Sequence, residues 1–382
     1  MILIKNGCIK TITSEEIKNG CILIGDDGKI AAIGTDISIP KEADVIDAQG
    51  RLVTPGCIEA HCHIGIGEPL IGWAGHDYNE TSDPITPHLR AIDGINPLSS
   101  EFRSAVEGGV TTLCITPGSA NVIGGSVVIV KAIGKRIDDM IVKDPAAIKC
   151  AFGENPKNYF GQMQKKAPIT RMAIAALLRE ILYKAKIYAE DKAASRSVKF
   201  DMKLEALLPV IHREIPLKVH AHRADDIFTA IRIAKEFNIK LTLDHCTEGH
   251  LIADELAKEG YPVLVGPSFG SRPKAELEHK AFITPAALHK AGCEVSIITD
   301  SDVTPAQNLP MFAGMAAKAG LPIDAAWRSI TINPAKALGI DNRLGSLEVG
   351  KDADIVIWTS DPLTEIGGKA FIALIDGKLV NC

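Results

Sequence analysis

Two histidines spaced two residues apart close an apolar run in Pro55-Gly56-Cys57-Ile58-Glu59-Ala60-His61-Cys62-His63. On a strand, residues i and i+2 face the same side. His61 and His63 would therefore point together, and paired imidazoles are ready ligands for a divalent metal. An isolated His-x-His is read as easily as two polar residues ending a strand. More polar chemistry stands at the ends of later apolar runs. Lys218-Val219-His220-Ala221-His222 closes one, Leu243-Asp244-His245 another, and Ser296-Ile297-Ile298-Thr299-Asp300-Ser301-Asp302 a third.

These residues need elements that bring them together. Short apolar runs recur at 57–60, 110–116, 126–130, 147–152, 216–220, 239–244, 262–265 and 294–299. Helical patterns such as 227–237 and 251–258 lie between most of them. The alternation predicts an α/β chain with a (β/α)8 TIM-like barrel, whose chemistry sits at the C-terminal strand ends. Both chain ends read differently. Residues 21–25 and 29–34 flank an Asp26-Asp27-Gly28 turn, and 353–358, 370–375 and 378–380 form short strands around Asp376-Gly377. Strands this short are rarely stable alone. The two ends are therefore expected to pair into a small composite β-sandwich, 1–53 with 344–382, around a catalytic barrel over 54–343. The Gly/Pro/Asp-rich stretch 64–100 and a basic helical insertion at 157–212 are long enough to read as lids or substrate loops.

Composition narrows the partners. The chain has 382 residues, enough for two or three domains, with 46% hydrophobic and 23% charged residues, a globular balance. Lysine plus arginine total 42 and aspartate plus glutamate 47, so the formal charge is 42 − 47 = −5. With aromatics at only 5%, there is no basic or base-stacking signature for nucleic acid. No apolar run approaches the roughly 18–20 residues of a membrane span, and the N-terminus carries no secretory pattern. Nine scattered cysteines without a C-x-x-C pair fit free thiols in a reducing compartment, so a cytoplasmic location is expected. The expected partner is a small-molecule substrate, with no nucleic acid and no membrane; assembly as a homo-oligomer is left open.

Two motifs at opposite ends carry a family resemblance. Pro55-Gly56-x-x-x-x-His61-x-His63 resembles the strand-one motif of the metal-dependent amidohydrolase superfamily, close to its imidazolonepropionase-related and prolidase-like branch. Leu344-Gly345-Ser346-Leu347-Glu348-Val349-Gly350-Lys351-Asp352-Ala353-Asp354 resembles its return into the sandwich. The resemblance covers the whole chain. It implies Zn2+ or a similar divalent metal, one or two ions, held by His61, His63, His220 and His245. It further implies that Asp300 binds the metal and moves the proton, with Asp302 as runner-up. Relatives tend to carry a histidine where this chain has Ser301. On the fourth strand two residues match: Lys149, where binuclear relatives have a carboxylated lysine, and Glu154, where others use a glutamate. The expectation leans slightly to Glu154, with carboxylated Lys149 close behind.

The remaining polar residues are expected to recognise substrate. His76 lies on the loop after strand one, Asn121 after strand two, and Arg272 after strand seven; His222 shares the face of His220 and reads as a hydrogen-bond partner near the metal. Asp244, beside His245 but on the opposite face by strand alternation, reads as a strand cap. His212, His279 and His289 read as surface residues. The implied activity is hydrolysis of a C–N bond in a cyclic amide, N-acyl amino acid or dipeptide-like substrate by metal-activated water. Ring deamination is the enzymatic alternative. A non-catalytic scaffold, or a small-molecule binding module, is the rival from another class, disfavoured because every candidate ligand is present.

Overall fold

A computed structural model describes residues 1–38, 42–68 and 72–380. Eight strands form the barrel sheet in chain order: Cys57–Cys62, Val110–Ile115, Ile123–Lys131, Ile141–Ala151, Leu217–Ala221, Leu241–His245, Val263–Val265 and Val295–Ile297. Each contains or overlaps one of the eight apolar runs, and the α/β barrel expected from them is present. The strands are buried because helices cover their outer faces while side chains fill the inside. Between the fourth and fifth strands the insertion is helical, with long helices Arg171–Ala193 and Met202–Ile211.

One strand departs from the parallel pattern. Ile123–Lys131 runs antiparallel to both neighbours, and strands two, three and four follow one another as a meander without an α-helix between them. The physical reason is connection length. Residues 116–122 link strands two and three, and a parallel crossover needs about a dozen residues or more. The reversal carries Lys131 to the end of the barrel away from the His-x-His pair, level with Thr112 at the start of strand two.

That end receives the two chain termini. The strand Ile355–Trp358 pairs antiparallel with Leu52–Pro55, which lies beside Ile2–Ile9, so strands from both ends build one eight-stranded sheet. Two contacts lock it to the barrel. Trp358 packs edge-on against Trp327 with centroids 6.1 Å apart, and its ring covers Gly109, where a Cβ would meet the ring at 2.1 Å. The buried Lys131 ammonium reaches Asp354 at 2.8 Å, Asp376 at 2.9 Å and Asp352 at 3.3 Å.

The barrel closes between its first and eighth strands by a narrow seam. His63 N–H donates to Ser301 O, and Cys62 bridges to Ser301 in parallel register. Glu59, fully buried, clamps the same seam from inside. Its Oε2 accepts the Thr299 backbone N–H at 2.9 Å and the Thr299 hydroxyl at 2.6 Å, while Oε1 accepts His61 N–H at 3.0 Å. Burial raises the Glu59 carboxyl to about 7, against the pull of those donors. A carboxyl raised in the fold favours the native state below its ordinary 4.5, and that contribution is lost as pH rises through about 7. Glu59→Gln sets an amide NH2 against a backbone donor. It is expected to cost about 1–3 kcal/mol, read as a lower Tm and faster amide exchange at Thr299. Unchanged Tm and unchanged Thr299 protection would show that the seam does not depend on this clamp.

Candidate metal centre

The strand ends converge on one pocket of imidazoles. His61 and His63 do share a face, with their rings 5.5 Å apart and nearly perpendicular. Each is held by its Nδ1. His63 Nδ1–H donates to Thr116 O at 2.7 Å, and His61 Nδ1–H to Asp244 Oδ2 at 2.6 Å. Both Nε2 atoms then stand 3.4 Å from the same oxygen, Asp300 Oδ1. On strand six, His245 Nδ1–H donates to Gly266 O at 2.8 Å, which aims its Nε2 into the pocket. His220 joins from strand five, its ring 4.3 Å from that of His245.

The backbone bends to allow this. His245 and Asp300 both sit in the left-handed region, with φ of 74° and 54°. Few residues without glycine's freedom adopt it, and it marks positions that the surrounding structure must enforce. The bend breaks strict alternation at the end of strand six. Asp244 and His245, neighbours in sequence, both face the barrel interior.

Chemistry and electrostatics agree on what the pocket wants. Among the described residues the buried Nε2 atoms of His220 and His245 have no hydrogen-bond partner, and an orphaned buried polar atom costs about 1–3 kcal/mol. His61, His245 and Asp300 place ligand atoms within 4.8 Å of one another, and so do His220, His222 and His245. Burial, aided by nearby positive groups, pushes His61, His220 and His222 well below 6.5, and burial lowers His245. Imidazoles held neutral are in the form that binds metal. Burial works against the Asp300 charge, but His245, His63 and Lys149 outweigh it and hold the carboxyl below its ordinary 3.8. This His-rich group could hold a divalent metal.

Lys149 enters the pocket and Glu154 does not. Lys149 is almost fully buried, its Nζ 3.1 Å from His61 Nε2 and 3.2 Å from Pro117 O, and burial lowers it to about 8. Glu154 opens a short helical turn beyond the strand. Its Oε1 accepts the Glu276 N–H at 3.0 Å and its own N–H donates to Glu276 Oε2 at 2.8 Å. It lies outside both groups of clustered ligand atoms. Asn121 and Arg272 both bond to backbone carbonyls of the protein itself. Asn121 spends its amide on the Glu80 and Asp83 carbonyls, tying the long loop to the barrel. Arg272 is exposed and donates to Lys280 O at 2.8 Å. His76 is exposed on the long loop, beside Tyr78, and His222 is buried with Nδ1 2.7 Å from Thr247 Oγ1.

Two participants, Asp244 and Lys218, were not read from the sequence as part of the site. Asp244 is fully buried; its Oδ2 accepts His61 Nδ1–H and forms an ion pair with the Lys218 ammonium at 3.0 Å. Lys218 was legible in principle, since Lys218, His220 and His222 share one face of an apolar strand and mark that face as polar interior. Tyr78, carried in by the long loop, stacks on His63 with centroids 5.3 Å apart.

Comparison with known proteins agrees with this geometry. Residues 201–380 match the Amidohydrolase family. The chain is 32% identical to amidohydrolase tasK of Hapsidospora irregularis over 89% of its own length, though it spans only 37% of that longer protein. It is 24% identical to the imidazolonepropionase of Rhizobium rhizogenes, covering 93% of this chain and 90% of the relative. A crystal structure of an amidohydrolase from Thermotoga maritima MSB8 superimposes with a TM-score of 0.96 at 39% identity, covering 100% of both chains. With that likeness along its whole length and imidazoles converging at the mouth of an eight-stranded barrel, the chain belongs to the amidohydrolase superfamily.

Proposed function

We propose that the chain is a metal-dependent hydrolase of a C–N bond in a small molecule: a cyclic amide, an N-acyl amino acid or a dipeptide-like substrate. The observation that carries the reading is the pair of orphaned Nε2 atoms on His220 and His245, in a pocket shared with His61 and Asp300. His61, His63, His220, His245 and Asp300 are the proposed ligands of one or two Zn2+-like ions, a donor set of nitrogen and carboxylate oxygen that suits zinc. When bound, such an ion supplies Lewis acidity toward the scissile carbonyl and lowers the pKa of water to about 7.

The chain's own groups do the rest. Asp300 accepts the proton of the attacking water and passes it to the leaving nitrogen. Asp244 and the Thr116 carbonyl fix the tautomers of His61 and His63, so that Nε2 carries the free lone pair on each. Lys149 is the proposed fourth-strand ligand in carboxylated form. With its amine lowered to about 8, a sizeable neutral fraction exists near neutral pH, able to add CO2 and release a proton. The resulting carbamate is an anion at a position where an ammonium would repel a cation. Glu154, bound to the Glu276 backbone, leaves the proposed set. His76 and Arg272, on loops after strands one and seven, are proposed to meet polar groups of the substrate.

Hydrolysis of a panel of N-acyl amino acids, dipeptides and lactams by metal-loaded protein tests the reading. His61→Ala with His63→Ala is expected to abolish metal and activity together. Asp300→Asn should cost about 10²–10⁴-fold in kcat while metal binding survives better, and Asp302→Asn should change kcat by less than about threefold. Loss in Asp302→Asn alone would move the base along the loop.

The depressed imidazoles also make a pH prediction. Burial holds His61 and His220 well below 6.5 and His245 below it, so metal affinity measured by calorimetry should fall much less between pH 7.5 and 6 than it would for ordinary imidazoles. Three imidazoles with an ordinary value of 6.5 would lose roughly fiftyfold over that range. A loss of that size would mean the pocket is wetter than this packing implies.

A further inference from the structure

We infer that a second ligand site lies at the end of the barrel away from the imidazoles and takes a small organic dianion, an apolar or aromatic body bearing a phosphomonoester or two carboxylates. The site uses none of the proposed metal ligands and stands independently of the proposed reaction.

A cavity of about 460 Å3 opens where strands five, six and seven begin. Small-molecule sites run from about 300 to 1,000 Å3. Pro216, Leu241 and Pro262 stand at those strand starts and line it, with Tyr261 beside them. Two helices end against it. Ala224–Phe237 is closed by Asn238 and Ile332–Leu338 by Gly339, both in the left-handed conformation. The walls therefore offer apolar surface and one aromatic side chain to the body of a ligand.

The charge around the cavity is one-sided. Five cations and a single acid, Glu214, line it. Lys235 and Lys336 are answered by Glu259 at 2.5 Å and Glu294 at 3.4 Å. Lys143, Arg213 and Lys240 have no acidic partner among the described residues, so three cations share one carboxylate. Helix C-termini carry partial negative charge and account for part of this excess. Arg213 Nη1 donates to Asn238 O at 2.8 Å, and Lys143 Nζ to Leu338 O at 2.9 Å. A guanidinium has five donors and an ammonium three, so most of this capacity is left for a ligand.

The Lys240 ammonium makes no hydrogen bond among the described residues. Lys143 is half-buried; burial lowers it below its ordinary 10.5, and Lys240 adds to the fall. Ammonium groups that repel each other in a partly dry cavity are relieved by an anion within it. Phosphate and carboxylate oxygens accept charge-assisted hydrogen bonds from all three cations. Three cations against one acid leave two positive charges to be matched, which favours a dianion over a singly charged ligand.

Calorimetry on the metal-loaded full chain tests this with phenyl phosphate, phthalate and, as the uncharged control, phenol. One dianion per chain is expected, with Kd at or below about 1 mM, and no saturable binding of phenol. The tighter of the two dianions identifies the head group. Lys143→Met and Lys240→Glu should each weaken it by about tenfold or more. Lys240 is exposed, so Lys240→Glu carries the test if Lys143→Met does not fold. Binding should survive in His61→Ala with His63→Ala. Absence of saturable binding of either dianion up to about 10 mM overturns the inference. So does affinity unchanged in both lysine variants, or equal binding of phenol. Binding lost with the two histidines and kept in Lys240→Glu places the anion at the imidazoles and overturns it as well.

Discussion

The buried carboxylate of Asp244 is the constraint around which the catalytic half of the barrel is arranged. One oxygen receives both the His61 imidazole and the Lys218 ammonium, and the other receives the Thr242 hydroxyl at 3.1 Å. Removing one partner of a buried ion pair typically costs about 3–5 kcal/mol, because the other is left charged in a poorly solvated site. Asp244 is therefore tied to Lys218 for stability and to His61 for orientation. The strand registers follow the same logic. Lys218 lies beside Lys149, and His220 beside Asp244, so the two buried lysines share one level of the barrel interior and His220 stands one layer above them.

This polar interior is affordable because the hydrophobic work is done elsewhere. Helices pack the outside of strands four to eight with residues such as Ile174, Leu178, Ile227, Ile231 and Leu288. A second cluster around Trp327, Trp358, Phe312 and Val106 joins the barrel to the terminal sheet. The terminal sheet grips the barrel end where strands one and two begin, through Gly109, Lys131 and Trp358. The loops after strands one, five, six, seven and eight gather at the opposite end, beside the imidazoles. The seam beside the His-x-His pair is short in backbone hydrogen bonds, and Glu59 supplies from a side chain what a longer eighth strand would have supplied from its backbone.

Much of this was legible in the amino-acid sequence, for reasons that are local. Eight apolar runs of strand length, helical periodicity between most of them and turn residues at both ends depend only on near neighbours. His61 and His63 share a face because a strand repeats every two residues. The antiparallel third strand was also within reach, since the connection 116–122 is too short for a parallel crossover. What only the tertiary structure decided concerns residues whose direction depends on distant backbone. Alternation placed Asp244 opposite His245, but the positive φ of His245 turns both inward. Lys149 and Glu154 could not be ranked by spacing: Lys149 is beside His61, 88 positions earlier, while the Glu276 N–H, 122 positions later, claims the Glu154 carboxylate. His222 and Asn121 likewise take their surroundings from Thr247 and from the loop carbonyls of Glu80 and Asp83. Periodicity states which side of a strand a residue occupies; barrel closure states what it meets there, because the partners come from strands and loops that only the closed fold brings within hydrogen-bond distance.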